Sequence, residues 1–418
     1  MVFLYSLALR LYGLLLRLVA PFVPKARQWV EGRRGWLPRL QQQLAADAAP
    51  RIWLHCASLG EFEQGRPLLE ALRQQYPGHR LVLTFFSPSG YEVRKDWPGA
   101  DYILYLPLDT VANARAFVQT VRPELAIFVK YEFWYHYLAE LKRQRVPTIC
   151  VSAIFRAEQV FFKPWGGFFR RVLGQLTHIF TQDQASVQLL RRIGITQTTV
   201  AGDTRFDTVA ATAAAPPREL PIVAAFTADA APVLVAGSVW PPDVDVLTPA
   251  VQRHADELRV IVAPHEISEA HLTQVEAVLP GRVVRYSQAD AATVAQARVL
   301  LIDNIGLLRE LYRAGDLGYI GGAFGKGLHN TLEAAAFGLP LLFGPRYEKF
   351  REARDLVAQG LAFVVTTPEE AQTALQPLLT DATQRRELGQ RARAYVQQEA
   401  GATGRILRVV HEGMRVGG

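Results

Sequence analysis

Cysteine is nearly absent from this chain. Its two residues, Cys56 and Cys150, sit in apolar runs with strand character, which excludes a disulfide framework and points to buried thiols in a reducing compartment. No Cys/His spacing of a zinc site occurs, and no short repeat or low-complexity tract is present. Two nucleotide fingerprints are missing as well. In a Walker A loop ending at Gly325-Lys326, the first glycine would fall on Ile320, and no Ser or Thr follows the lysine. In a dinucleotide loop starting at Gly325-Lys326-Gly327, the third glycine would fall on Asn330. ATPase and NAD-binding readings lose their main support.

Acidic residues are scarce at the start of the chain. Residues 1–40 carry Arg10, Arg17, Lys25, Arg27, Arg33, Arg34 and Arg39 against Glu31 alone, so nearly all of the formal +7 charge lies there. A nucleic-acid protein spreads basic residues along a binding face, whereas these flank an apolar stretch, Met1 to Val23. On a helix Arg10 and Arg17 share one face, and Leu4, Leu7, Leu11, Leu14, Leu15 and Leu18 cover much of the rest. That pattern predicts a membrane-anchor segment over 1–35, lying on the surface more readily than spanning it, with the body on the cytoplasmic side. A cleaved signal peptide fits less well because the charges lie inside and after the apolar stretch. A buried first helix of a soluble protein is the plain alternative.

What is present in quantity is apolar sequence in a βα rhythm. At 418 residues two domains are expected. Strand-like runs at Ile52–Ala57, Leu81–Phe85, Ala126–Val129, Thr148–Val151, Ile179–Thr181 and Thr199–Gly202 predict a parallel, doubly wound first domain over 36–209. An Ala/Pro-rich linker is expected over 210–231. A second such domain, over 232–380, follows from Val233–Gly237, Val260–Val262, Val299–Ile302 and Leu317–Ile320. A helical tail, 381–418, is expected to pack back on the first domain. The class is α/β, and two Rossmann-like domains facing a cleft resemble the GT-B architecture.

The segment Gly321–Gly344 joins a glycine-rich loop to a helix opened by Asn330 and ended at Gly338-Leu339-Pro340. Backbone N–H groups and the helix start are placed to meet a phosphate, and Glu333 is placed to meet ribose hydroxyls. In the first domain, His55 to Glu61 leaves a strand end and enters a helix, which makes Glu61 a candidate general base. Ser58-x-x-Glu61 is equally the spacing of a capping box. Glu132 follows another strand end, as does Arg205, a cation able to neutralise a carboxylate or a departing phosphate. Pro264-His265 and Ile305-Gly306-Leu307 border the second domain's strand ends. His265 and His329 are more readily structural donors than bases. Asp243-Val244-Asp245 has D-x-D form but reads as helix-start charge. The aromatic run Phe155 to Phe169, interleaved with basic residues, fits either a lipid-facing surface or core packing.

With these residues assembled, the chain resembles the 3-deoxy-D-manno-octulosonic acid (Kdo) transferase family of lipopolysaccharide assembly over nearly its whole length. The ordered matches are the anchor, Ser58-Leu59-Gly60-Glu61, Thr84–Gly90, Tyr105-Leu106-Pro107, Glu132-Phe133-Trp134, Gly202–Asp207, Pro264-His265, Ile305-Gly306-Leu307, Gly321-Gly322, Asn330–Glu333 and Gly344-Pro345. The resemblance implies an inverting GT-B enzyme that moves Kdo from CMP-Kdo to a lipid A precursor, lipid IVA, at the cytoplasmic face of the inner membrane. It implies Glu61 as the base, with Glu132 and Arg205 assisting. CMP would be held by Pro264, His265, Ile305, Gly306, Leu307, Asn330, Thr331, Leu332 and Glu333. No metal, other cofactor or nucleic-acid partner is implied. Lys130, Arg205, His265, Ala323 and Thr331 depart from residues common in the family. The alternatives are a transferase acting on a lipid from a UDP-sugar, a UDP-sugar epimerase on the same fold, and a non-catalytic sugar-nucleotide binder.

Overall fold

A computed structural model describes residues 1–325 and 327–416, with side chains through Glu412. Lys326 lies outside the described residues. The chain divides into two units, residues 1–207 with 400–418, and residues 208–399.

The first unit is built on a seven-stranded parallel sheet: β1 Arg51–Cys56, β2 Arg80–Phe85, β3 Tyr102–Tyr105, β4 Pro123–Val129, β5 Thr148–Ala153, β6 His178–Thr181 and β7 Thr198–Val200. Their order is β3-β2-β1-β4-β5-β6-β7. All six residues of β1 are buried, as both faces of a parallel sheet must be when helices cover it. Its alternation divides the core in two. Ile52, Leu54 and Cys56 join Phe62, Leu69 and Phe85 on one face. Trp53 packs on the other against Phe117 and Phe128, with centroids 4.9 and 5.2 Å away. Most of the Phe155–Phe169 aromatic run belongs to this core, with Phe155, Phe161 and Phe168 buried. Trp165 alone of the run's large aromatics is strongly exposed, at 70%.

The second unit repeats the plan: β8 Val233–Val239, β9 Arg259–Pro264, β10 Val283–Arg285, β11 Val299–Leu301, β12 Leu317–Ile320, β13 Leu341–Phe343 and β14 Ala362–Val364. The order is β10-β11-β9-β8-β12-β13-β14, again parallel throughout.

The expected linker is largely structured. A helix runs to Ala214, and a second, Pro221–Phe226, buries Val223 and Phe226. The tail expected over 381–418 divides. Ala382–Glu399 packs in the second unit, burying Leu388, Ala392 and Val396. The chain then turns at Gly401, and Ala402–Val416 belongs to the first unit. There the Asp207 carboxylate accepts the N–H groups of Gly401 and Thr403, and His411 Nδ1 lies 3.1 Å from the Tyr76 hydroxyl. Apolar spacing alone could not reveal this exchange, because it marks the face a helix buries and not the unit that covers it.

The first helix, α1 (Val2–Val19), is followed by α2 (Pro24–Gly32). One face of α1 is docked on the first unit. Tyr5 donates to Asp109 at 2.6 Å, Ser6 lies 2.9 Å from His136 Nε2, and Gly13 approaches Leu108 so closely that a Cβ would sit 2.9 Å from its Cδ2. The other face exposes Phe3, Leu4, Leu7, Leu11, Leu14, Leu15 and Leu18. At about 100° per residue these seven positions share a stripe roughly 120° wide. The stripe is a separate face, because docking uses the residues opposite it.

Candidate functional site

In an open parallel sheet, ligands meet the carboxyl ends of the strands where the winding direction reverses. In the first unit that point lies between β1 and β4, and it collects the predicted residues. Ser58 caps the Leu59–Gln75 helix with extended backbone but no side-chain bond to a first-turn amide. Its hydroxyl donates to the Glu61 carboxylate instead. The capping-box alternative is therefore not formed, and half-buried Glu61 keeps a carboxylate at the strand-end surface.

Glu132, beyond β4, is held by a network that sequence reading had not identified. Trp134 Nε1 donates to its Oε2 at 2.8 Å, and His55 Nε2 lies 3.3 Å from the same oxygen. The fully buried His55 ring meets the Thr84 hydroxyl at 2.9 Å through Nδ1, and that hydroxyl accepts from Trp53 Nε1 at 2.8 Å. One directed chain satisfies these groups: Trp53 donates to Thr84, Thr84 to His55 Nδ1, and His55 Nε2 to Glu132. Burial pushes the Cys56 thiol well up, and the charges of Glu61 and Glu132 push it further, so both carboxylates act on one neighbourhood.

Arg205 is reached from β7. Its Nε and a terminal nitrogen donate to Asp203 at 2.9 and 2.7 Å. Asp203 is buried and also lies 3.4 Å from Gln64 Nε2, in the Glu61 helix. Burial alone would raise the Asp203 carboxyl, but Arg205 outweighs it, with help from Lys130, and holds it below the ordinary aspartate range. Lys130 itself follows β4 with φ of 60°. Of the two partners the sequence allowed for Arg205, a carboxylate or a departing phosphate, Asp203 supplies the carboxylate, and the guanidinium is only partly exposed.

In the second unit the reversal lies between β8 and β12, where the glycine-rich loop follows β12. The loop's amides are mostly committed internally, contrary to the expectation of an open phosphate cradle. Gly322 N–H goes to Asp243 at 2.9 Å, and the N–H groups of Gly325 and Gly327 both go to the Gly322 carbonyl. Gly322 has φ of 95°, and a Cβ there would meet Gly327 O at 2.3 Å. These glycines allow close packing of the loop on itself. Asp243 is more than helix-start charge. It is buried and accepts from Trp240 N, Tyr319 OH and Gly322 N. Asp245 points to an exposed position, and the described residues contain no group of His, Cys, Asp and Glu fit for a metal ion.

His265 and His329 form a stack with Trp240. The ring centroids are 4.5 Å apart for Trp240–His265 and 4.7 Å for His265–His329, and Trp240 Nε1 donates to His329 at 3.3 Å. Burial lowers the His329 pKa, and His265 lowers it further. Asn330 caps the Thr331–Ala336 helix by accepting Leu332 N–H at 3.1 Å, and its Nδ2 lies 3.3 Å from Glu333. Glu333 also meets Arg309 at 3.4 Å, which brings the Ile305–Leu307 turn to the same rim. Ile305 is 86% exposed, Gly306 has φ of 92°, and Leu307 and Leu332 are buried wedges. Thr331 carries a buried hydroxyl without a hydrogen-bond partner among the described residues. Pro264 ends β9 beside His265. All nine predicted donor-site residues thus belong to connected segments of one rim.

A family model described as 3-deoxy-D-manno-octulosonic-acid transferase (kdotransferase) matches residues 29–208. A 3-deoxy-D-manno-octulosonic acid transferase of Bordetella pertussis is 28% identical over 434 aligned residues, covering 95% of this chain and 97% of that protein. The chain is thus similar to 3-deoxy-D-manno-octulosonic acid transferases over most of its length. Another Kdo transferase, of Chlamydophila psittaci, is also 28% identical, over 78% of this chain and 80% of the relative. Among solved structures, the UDP-GlcNAc 2-epimerase of Neisseria meningitidis bound to UDP-GlcNAc aligns with a TM-score of 0.62 at 13% identity, covering 87% of this chain and all of that one. At that identity the likeness concerns the fold alone, which is of GT-B type.

Proposed function

We propose that this protein is an inverting glycosyltransferase that moves Kdo from CMP-Kdo to a lipid A precursor, lipid IVA. The observation that carries the reading is the convergence of the family's motif residues on the two sheet reversal points, with Glu61 at the first and the His265–Asn330–Glu333 rim at the second. In the reaction, Glu61 takes the proton of the acceptor hydroxyl as its oxygen attacks the anomeric carbon, and the bond from that carbon to the CMP phosphate oxygen breaks. Glu132, fixed by His55 and Trp134, orients the acceptor. Arg205 supplies positive potential toward the departing phosphate. On the donor side, Pro264, His265, Ile305, Gly306, Leu307, Asn330, Thr331, Leu332 and Glu333 hold CMP. Neither a metal nor another cofactor has a role in this scheme.

The protein works at the cytoplasmic face of the inner membrane, with α1 lying along the bilayer surface. Support comes from the docked face: Tyr5, Ser6 and Gly13 pack on the first unit along the helix, while the apolar stripe faces outward. A spanning helix would have to give up those contacts. Mass spectrometry of a tetraacylated lipid A precursor, after incubation with purified protein and fresh CMP-Kdo, tests the reaction. Added Kdo supports the proposal; addition only from a UDP-sugar control would replace it with the rival transferase reading.

A further inference from the structure

A cavity of about 820 Å³ in the first unit is not part of either strand-end site. It lies among α1, α2 and the segment after β3, and its walls include Arg10, Arg17, Arg27, Arg33 and Arg34, with Glu31 as the one carboxylate. Among the described residues none of these arginines has a carboxylate within ion-pair distance. Arg33 is committed to the fold. Its guanidinium donates to the carbonyls of Leu106, Trp29 and Phe86 at 2.8, 3.0 and 2.7 Å and lies over the Trp29 ring at 4.0 Å. Arg27 donates to Pro21 O. The side chains of Arg10, Arg17 and Arg34 make no hydrogen bond or ion pair to described protein atoms and are exposed. Stability does not explain such a concentration of positive charge, since like charges repel.

The cavity is also wired to the catalytic face. Trp29 in its wall meets Phe86 edge-on at 5.8 Å, Phe86 lies 4.7 Å from Trp134, and Trp134 holds Glu132. We propose that this cavity binds a phosphate carried by the lipid acceptor, with Arg10, Arg17 and Arg34 as its ligands. The inference rests on the proposed reaction and adds a recognition site to it. Guanidinium forks match phosphate oxygens in charge and geometry. The link through Phe86 favours the acceptor over bulk anionic lipid, because binding here sets a headgroup close to Glu132.

The test uses the full chain and the double variant Arg10→Gln/Arg34→Gln, with Arg17→Gln as a second variant. Wild type and variants should melt alike, since these side chains hold no protein partner. The acceptor KM should rise roughly 10- to 100-fold in the variants, with kcat and donor KM unchanged. With a dephosphorylated acceptor, wild type should show the raised KM and the variants no further loss. An unchanged acceptor KM, or an equal rise for both acceptors, overturns the proposal. Flotation with phosphatidylcholine vesicles doped with acceptor or with phosphatidylglycerol needs no turnover. Arginine-dependent binding confined to acceptor-doped vesicles supports the site, and equal dependence on phosphatidylglycerol overturns the acceptor as occupant. If wild type transfers sugar to neither acceptor, the reaction assignment fails, and flotation alone decides the cavity.

Discussion

His55 Nε2 stands 3.3 Å from Glu132 Oε2, while the ring's other nitrogen is 2.9 Å from the Thr84 hydroxyl. The imidazole is fully buried, so its role is to fix a carboxylate it can reach. Replacing it with alanine should lower kcat roughly 10- to 100-fold by releasing Glu132 from its position. Thr84→Val should reproduce part of that loss, since it removes the donor to Nδ1. Steady-state kinetics on both variants checks the pair; full activity in His55→Ala would leave Glu132 without need of positioning.

Asp203 gives the first unit an acid-sensitive element. Its folded pKa lies below its unfolded one because Arg205 outweighs burial. Its stabilising contribution is therefore present above the unfolded value and is lost as pH falls through the ordinary aspartate range and below. Asp203→Asn should destabilise the protein at neutral pH and flatten the acid limb of its denaturation profile. Urea titrations between pH 3 and 7 measure both effects, and a parallel acid limb in the variant would contradict the assignment.

Asp243 should behave as a buried strut and not as a metal ligand. Asp243→Ala leaves the donors of Trp240, Tyr319 and Gly322 unpaired and should cost roughly 1–3 kcal/mol or more of stability. Calorimetry should show weaker CMP binding, because the loop after β12 loses its tether. A chelator should leave wild-type activity unchanged; chelator-sensitive transfer restored by a divalent ion would reverse the reading.

The outward stripe of α1 should control membrane attachment independently of chemistry. Leu7→Ser, Leu11→Ser and Leu18→Ser combined remove apolar burial of about 1.5–3 kcal/mol per leucine. The variant should leave sedimented vesicles and still modify acceptor presented in detergent. Retention on vesicles would show that the stripe is not the contact.

Sequence reading located the long central strands because each is a run of apolar residues buried on both faces, as Arg51–Cys56 is. It missed Tyr102–Tyr105 and Val283–Arg285 as strands. Both are edge strands of four and three residues, mostly half-buried, and carry little periodicity. The catalytic-face candidates were legible because they follow strand ends. Their supports were not: His55 and Thr84 come from neighbouring strands, and only the parallel register that pairs them shows the contact. The committed amides of the glycine loop were hidden for the same reason, since Asp243 is remote in sequence from Gly322.

The most direct measurement pairs turnover with donor binding on one preparation of Glu61→Gln. The account predicts CMP affinity close to wild type by calorimetry, with Kdo transfer reduced by about 10²–10⁴-fold or more. Transfer at the wild-type rate in a variant that still binds CMP would contradict Glu61 as the base and move the search to Glu132.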